Sequence, residues 1–339
     1  MMTKVLKFFF SRLFVVPCLL VLQFLLVFSL VWWMSQYAVF FYFLLVLLSL
    51  AMVLWVLGKS DNPSYKLAWI IAILILPVFG GVLYLMFGTN SVSHRLKRRM
   101  NQIIEEAAPH LEQNPQVTAE LKALDGDVFG QSKYILNTAS YPMYQKTTME
   151  YYPLGEAKWI RLLEELEKAE HYIFMEYFIL EDGIMWSSVL EILEQKAAEG
   201  LDVRVMYDDV GSLNTLPTHY DRQLEAKGIK AVVFNPFRAY LSVKLNNRDH
   251  RKIVVIDGHT GFTGGINLAD EYINAYEKHG HWKDTAVMLK GEAVWNLTVM
   301  FLSLWSFLRH TQDHYESFRP HVHQPEPIVS QGYVQPFGD

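Results

Sequence analysis

The chain has a single cysteine, Cys18, so no disulfide can form within it and redox compartment cannot be read from cysteine usage. Charge is also scarce. Charged residues make up 19% against 51% hydrophobic, and the first 90 positions skew both figures. The formal net charge of −5 offers no basic excess, so nothing in the overall balance points to nucleic acid. Short tandem repeats are absent, and so is a convincing set of metal ligands. Asp208-Asp209, His310 with His314, and His321 with His323 supply donors, but the tail histidines lie in a Pro-rich stretch with no fixed third ligand. No metal and no cofactor are expected.

The missing charge is concentrated at the N-terminal end. Leu13 to Val31, Tyr37 to Leu57 and Leu67 to Phe87 are apolar runs. Each is long enough to cross a hydrocarbon core of about 30 Å at about 1.5 Å per residue. Trp32, Trp33, Tyr37, Trp55, Trp69 and Tyr84 fall near their ends, where amphipathic rings favour the headgroup layer. Lys4, Lys7 and Arg12 precede the first run, but Trp32-Trp33-Met34 after it is a poor cleavage site, so it reads as an anchor.

Orientation signals conflict. Lys4, Lys7 and Arg12 argue for a cytoplasmic N-terminus, and Arg95, Lys97, Arg98 and Arg99 for a cytoplasmic side after the third run. Three full crossings cannot satisfy both. A bend at Pro77, Gly80 and Gly81, or a re-entrant first or second run, would remove the conflict. The Arg95–Arg99 cluster is the denser signal and also suits anionic headgroups. The expectation is a multi-pass protein of the cell membrane with its C-terminal part in the cytoplasm.

With 339 residues, two or three domains are possible. Residues 1–90 form the membrane region, and 91–133 a polar helical connector broken by Pro109 and Pro115 and carrying no chemistry. From Tyr134 the texture alternates between helix and strand. Trp159, Leu162, Leu163 and Leu166 recur at helical spacing, and strands follow at His171–Leu180, Leu201–Tyr207, Ile229–Phe234, Ile253–Ile256 and Thr285–Leu289. A helix over Val294–Leu308 closes the series. Strands separated by helices imply an α/β sandwich with a mixed sheet over 134–318.

Within it stands Asn247-Arg248-Asp249-His250-Arg251-Lys252, then the β-branched run Ile253 to Ile256, Asp257, and Gly264-Gly265-Ile266-Asn267. Alternate residues of a strand share a face, so His250 and Lys252 point the same way from its leading end. A cation beside an imidazole is costly unless an anion lies between them. Phosphate meets that demand: Lys252 offsets charge on the non-bridging oxygens, and His250 attacks phosphorus or moves a proton. Asp257, at the strand's far end, is expected to support the motif's loop. Asn267 and the backbone N–H groups near Gly264-Gly265 can donate to a phosphate oxygen. Glu176 and Asp208 end strands, with capping and functional roles equally open.

This pattern resembles the H-K-D motif of the phospholipase D superfamily, matched at His250, Lys252 and Asp257 with Asn267 downstream, and in its N-x-R-x-H-R-K form looks most like bacterial cardiolipin synthases. Met175 to Ile179, Val203 to Asp208 and Trp282-Lys283-Asp284 are similar to other segments of that family, and residues 44–88 to its membrane hairpin. The resemblance implies a phospholipase D-like half-domain, with Asp284 orienting a nucleophilic His250. It implies metal-independent phosphatidyl transfer between two phosphatidylglycerol molecules, giving cardiolipin and glycerol through a phosphohistidine. Phospholipase D hydrolysis, another acceptor alcohol, or a non-catalytic membrane half-enzyme are the alternatives.

One departure matters. The family carries two H-K-D motifs, one histidine attacking and the other protonating the leaving oxygen, whereas this chain has one. Residues 319–339 read as a linker and the start of a second half. Truncation is the expectation, with a site shared across a homodimer as the alternative.

Overall fold

The computed structural model describes residues 12–33, 37–88, 94–236, 248–323 and 328–338. Lys4, Lys7 and Asn247 lie outside them. The chain forms two compact units. In the first, α1 (Arg12–Trp33) and α2 (Ala38–Leu57) are apolar around their whole circumference, the signature of a helix surrounded by apolar material. Phe24, Phe40 and Leu54 are indeed turned outward. Among the described residues, one helix, Val39–Leu57, is long and apolar enough to cross a membrane; the apolar part of α1, Phe14–Ser29, is shorter.

The third run departs from the expected single crossing. It breaks at Leu76 into α3 (Pro63–Ile75) and α4 (Pro77–Phe87). Pro77 has no N–H to continue the ladder and its ring disfavours helical geometry at the preceding residue. Leu76 accordingly sits at φ −126°, ψ 76°. Pieces about 20 and 17 Å long do not span a core of about 30 Å.

The second unit opens with α5 (His94–Ala107), α6 (Pro115–Leu124) and α7 (Gly126–Ala139). Asp125 caps α7 through the N–H groups of Asp127 and Val128. Then come β1 (Thr147–Tyr152), α8 (Gly155–Glu167), β2 (Tyr172–Tyr177), α9 (Ile184–Ala198), β3 (Asp202–Asp208), α10 (Tyr220–Ala226) and β4 (Lys230–Phe234). The remainder is β5 (Ile253–Ile256), β6 (Thr260–Gly264), β7 (Ala286–Gly291) and α11 (Val294–Arg309). The seven strands form one sheet, ordered β1-β7-β6-β5-β2-β3-β4. β2, β3 and β4 run parallel, and the other pairings are antiparallel, so the sheet is mixed as expected. β1 was not legible in the sequence. It is an edge strand with Met149, Glu150 and Tyr151 exposed, so it lacks the apolar run of a buried strand.

Alternation along β2 divides the core. Ile173 and Met175 join Leu162, Trp186 and Val254 on the face covered by α8 and α9, while Phe174 joins Val255, Phe301 and Trp305 under α11. α11 is buried on nearly all sides because α5 packs on it, Arg99 donating to the Phe307 carbonyl. Parallel strands β2 and β3 finish at the edge where β5 begins, and the carboxyl ends of strands are where α/β sheets bind ligands.

One buried cation is unusual. Lys158 on α8 is 2% exposed, and its ammonium donates to the Tyr177 hydroxyl at 2.9 Å. Burial lowers its pKa to about 7, against about 10.4 in the unfolded chain. Between those values the unfolded state holds one proton more, so stability rises with pH by on the order of 1.4 kcal/mol per unit. Lys158→Met removes the proton and keeps the apolar stem. Denaturant titrations of the full chain in detergent from pH 7 to 10 should show that extra rise in the parent and not in the variant. Parallel curves would mean that Lys158 keeps its ordinary pKa.

Candidate active site

Glu176 of β2 stands opposite Ile253 of β5, so residues 248–252 lie just beyond the sheet where β2 ends. They form no ladder of their own, and alternation is imposed on them by side chains instead. Asp208, fully buried at the end of β3, accepts from the N–H groups of Val210 (2.9 Å), Gly211 (3.1 Å) and Asp249 (3.2 Å) and from Arg248 (3.3 Å). Asp249 accepts from the Arg251 side chain at 3.1 Å, and Arg251 pairs with Glu176 at 2.6 Å. Glu176 has no exposed surface, and burial drives its carboxyl well above the usual carboxylate range despite the Arg251 guanidinium. Asp249 and Arg251 are thus fastened inward, and the residues between and after them, His250 and Lys252, are turned the other way.

Those two converge on Phe178. The His250 ring centroid is 4.8 Å from that of Phe178, and the Lys252 Nζ lies 5.6 Å from the same ring. Lys252 is 5% exposed. Its hydrogen bond goes to the His250 carbonyl at 2.6 Å, and among the described residues it forms no ion pair. Burial pulls its pKa down to about 8, with Asp249 and Asp284 opposing. His250 is exposed to solvent. Desolvation and then the Lys252 charge lower its pKa, which favours a neutral imidazole with a free lone pair at pH 7. An exposed imidazole therefore sits beside a buried cation that, among the described residues, has no ion-pair partner.

Asp257 lies at the other end of β5, in the left-handed region at φ 48°. Its oxygens accept from the backbone N–H groups of Glu170, His171 and Tyr172, all at 2.8 Å. It ties β2 and β5 together at the end of β5 away from Lys252, about 16 Å along the chain. Asn267 does not offer the phosphate donor that its position suggested. It is 1% exposed, its Oδ1 accepts from Ile179 N–H at 3.0 Å, and its Nδ2 donates to the Tyr272 hydroxyl at 2.7 Å. Both ends are occupied in bracing the segment that follows Phe178.

Asp284 is half-buried and accepts from Thr285 N–H at 2.7 Å. No hydrogen bond joins it to His250 among the described residues, although its charge raises the imidazole pKa slightly. The carboxylate rests on the Gly264-Gly265 turn. A Cβ at Gly265 would strike Asp284 itself, and Gly264 adopts φ 149° with a Cβ barred by the Thr285 carbonyl. Glycine is required at both positions for Asp284 to lie there.

Phe178 and the Glu176–Arg251 pair escaped the sequence reading. A carboxylate in the otherwise apolar strand Tyr172–Tyr177, and an arginine between the motif's histidine and lysine, were the available signals. Among the described residues no group of three or more His, Cys, Asp or Glu is placed to hold a metal.

Residues 46–88 match the family model described as phospholipase D-nuclease N-terminal, and residues 162–305 match cardiolipin synthase, PLD-like domain. An uncharacterised protein of Streptococcus mutans is 41% identical over 289 residues, covering 85% of this chain and 62% of its own length. A cardiolipin synthase of Halalkalibacterium halodurans is 34% identical over 250 residues, covering 73% of this chain and 50% of its own length. Among solved structures, the phosphatidylserine synthase of Haemophilus influenzae aligns with a TM-score of 0.40 at 16% identity, over 61% of this chain and 50% of that one. The chain spans about half the length of the curated cardiolipin synthases it matches.

Proposed function

This chain belongs to the phospholipase D superfamily, carrying the PLD-like domain of its cardiolipin synthases, and on that premise we propose that it supplies the nucleophilic half of a phosphatidyl-transfer site. The observation that carries the reading is Lys252, a buried cation with no ion-paired carboxylate among the described residues, set beside the exposed His250 over Phe178. A phosphodiester supplies the missing anion.

In this reading the phosphate of phosphatidylglycerol binds at Lys252 and a His250 ring nitrogen attacks phosphorus. The bond from phosphorus to the headgroup oxygen breaks, and glycerol leaves with a proton from an acid on the opposite side. The hydroxyl of a second phosphatidylglycerol then gives its proton back to that acid and attacks the phosphatidyl-histidine, breaking the P–N bond to give cardiolipin and restore His250. Asp284 acts on the imidazole through its charge. The acid is the histidine of a second H-K-D motif, absent from these 339 residues, so it comes from a second copy or another domain. The apolar helices support a reaction at a membrane, and in this reading the catalytic unit lies on the cytoplasmic side.

The test uses detergent-purified chain, sized by light scattering, with phosphatidylglycerol labelled in its glycerol headgroup. Monomer should release negligible glycerol. A homodimer, or monomer supplemented with a second H-K-D half, should release it and form cardiolipin. Turnover by a verified monomer would overturn the two-motif requirement, and phosphatidic acid as product would make water the acceptor.

A further inference from the structure

We propose that residues 63–87 form a re-entrant hairpin that enters and leaves the bilayer on one side. The α2–α3 link and the Arg95–Arg99 segment then share the cytoplasmic face. The inference rests on the membrane location in the proposed function.

Contacts between α3 and α4 step inward from their open ends to the break. Near the start of α3, the Tyr65 hydroxyl reaches the carbonyl of Phe87, the last residue of α4, at 3.5 Å. Further in, the Trp69 and Tyr84 rings stand 5.4 Å apart. Closest to the turn, a Cβ at Gly80 would collide with the Ala72 carbonyl, so only glycine allows the backbones to meet. The two helices are antiparallel, and their open ends lie together.

Polarity along the segment fits a fold-back whose turn stays inside the bilayer. Lys59-Ser60-Asp61-Asn62 precedes α3, Asn62 capping it through Ser64 N–H, and Gly88-Thr89-Asn90-Ser91 follows α4. The turn itself, Leu74 to Phe79, has no polar side chain. An emerging loop would be polar at the turn, whereas a buried tip is apolar there. Lengths of about 20 and 17 Å reach partway through a core of about 30 Å. Consistent with that depth, Tyr84 packs edge-on to Trp55 near the end of α2, and Gly81 faces Met52. Leu67, Ile71, Leu74, Ile75 and Leu85 are exposed on the outer faces, an apolar surface that lipid would cover. The helical hydrogen bonds lost at Pro77 fall at the tip, beside Phe79, Gly80 and Gly81, which the unit buries.

The hairpin also removes the conflict of charges. Lys59, Lys66, Arg95, Lys97, Arg98 and Arg99 all belong to segments on one side. If α1 crosses as well as α2, the basic cluster at the N-terminal end of the sequence is assigned to that same side.

Single cysteines placed in a Cys18→Ser background test this, using a membrane-impermeant maleimide on intact cells and on inverted vesicles. Ser60→Cys and Asn90→Cys should label only in inverted vesicles, and Gln36→Cys only in intact cells. Val78→Cys should resist the impermeant reagent on both sides and react with a lipid-soluble maleimide. Labelling of Ser60→Cys and Asn90→Cys from opposite sides would overturn the hairpin while leaving the membrane location intact. Release of the parent chain by alkaline carbonate would overturn both.

Discussion

Replacing His250 by alanine should abolish the covalent phosphatidyl adduct and reduce turnover of the completed assembly by on the order of 10⁶, the scale of losing a nucleophile. The expectation follows from three features of the site. His250 is the exposed member of the motif, its imidazole is held neutral by partial burial and the Lys252 charge, and Phe178 fixes one side of its ring. The fold should survive the change, because Asp249 and Arg251, not His250, fasten the segment to Asp208 and Glu176. Reaction with phosphatidylglycerol labelled in its diacylglycerol part, quenched at high pH and resolved on a gel, reads the adduct directly. An acid-labile adduct that persists in His250→Ala would assign the nucleophile elsewhere.

Lys252→Met should cost on the order of 10²–10³ in turnover, the usual loss when one electrostatic donor to a developing charge is removed. Methionine keeps the length of the side chain and its place beside Phe178, so the loss would report charge and not packing. The parent carries a second signature. Lys252 is cationic only below its pKa of about 8, so parent activity should fall as pH rises through 8, and the variant should lack that limb. Stability moves in the other direction. The folded pKa lies below the unfolded value of about 10.4, so the buried charge weakens the fold below pH 8 and the penalty is relieved as pH rises toward 10. Lys252→Met should therefore be at least as stable as the parent at pH 7. A loss of turnover under fivefold would place the phosphate away from Lys252, and a destabilised variant would point to a packing role.

How much of this was legible beforehand depends on the range of the interactions involved. The apolar runs, the mixed α/β sheet and the H-x-K-x4-D motif are local patterns: each is written in neighbouring residues, and hydrophobic periodicity with residue chemistry is enough to read them. Ile253 to Ile256 forms a strand because β-branched side chains suit a buried, pleated surface, wherever in the chain they stand. β1 was hidden because an edge strand need not be apolar. The bracing bonds of Asn267 are not legible in the sequence because its partners, Ile179 and Tyr272, become known only when the sheet brings those elements together.

The same holds for what makes the site chemical. Spacing alone puts His250 near Lys252, but it cannot show that Lys252 is buried with no ion-pair partner among the described residues. Nor can it show that Phe178, distant in sequence, lies under both, or that Asp208 and Glu176 anchor the residues between. Pro77 announced a break in the third apolar run, and local chemistry could say no more than that. Whether the chain beyond it continued or folded back was decided by Gly80 against Ala72 and Tyr84 against Trp69, contacts that exist only once the two helices have met. Sequence determined which segments are helix, strand and motif because short-range sterics and hydrophobicity act within a few residues. Tertiary structure decided burial, counter-ions and direction, because those depend on groups that the fold alone brings within a few ångströms.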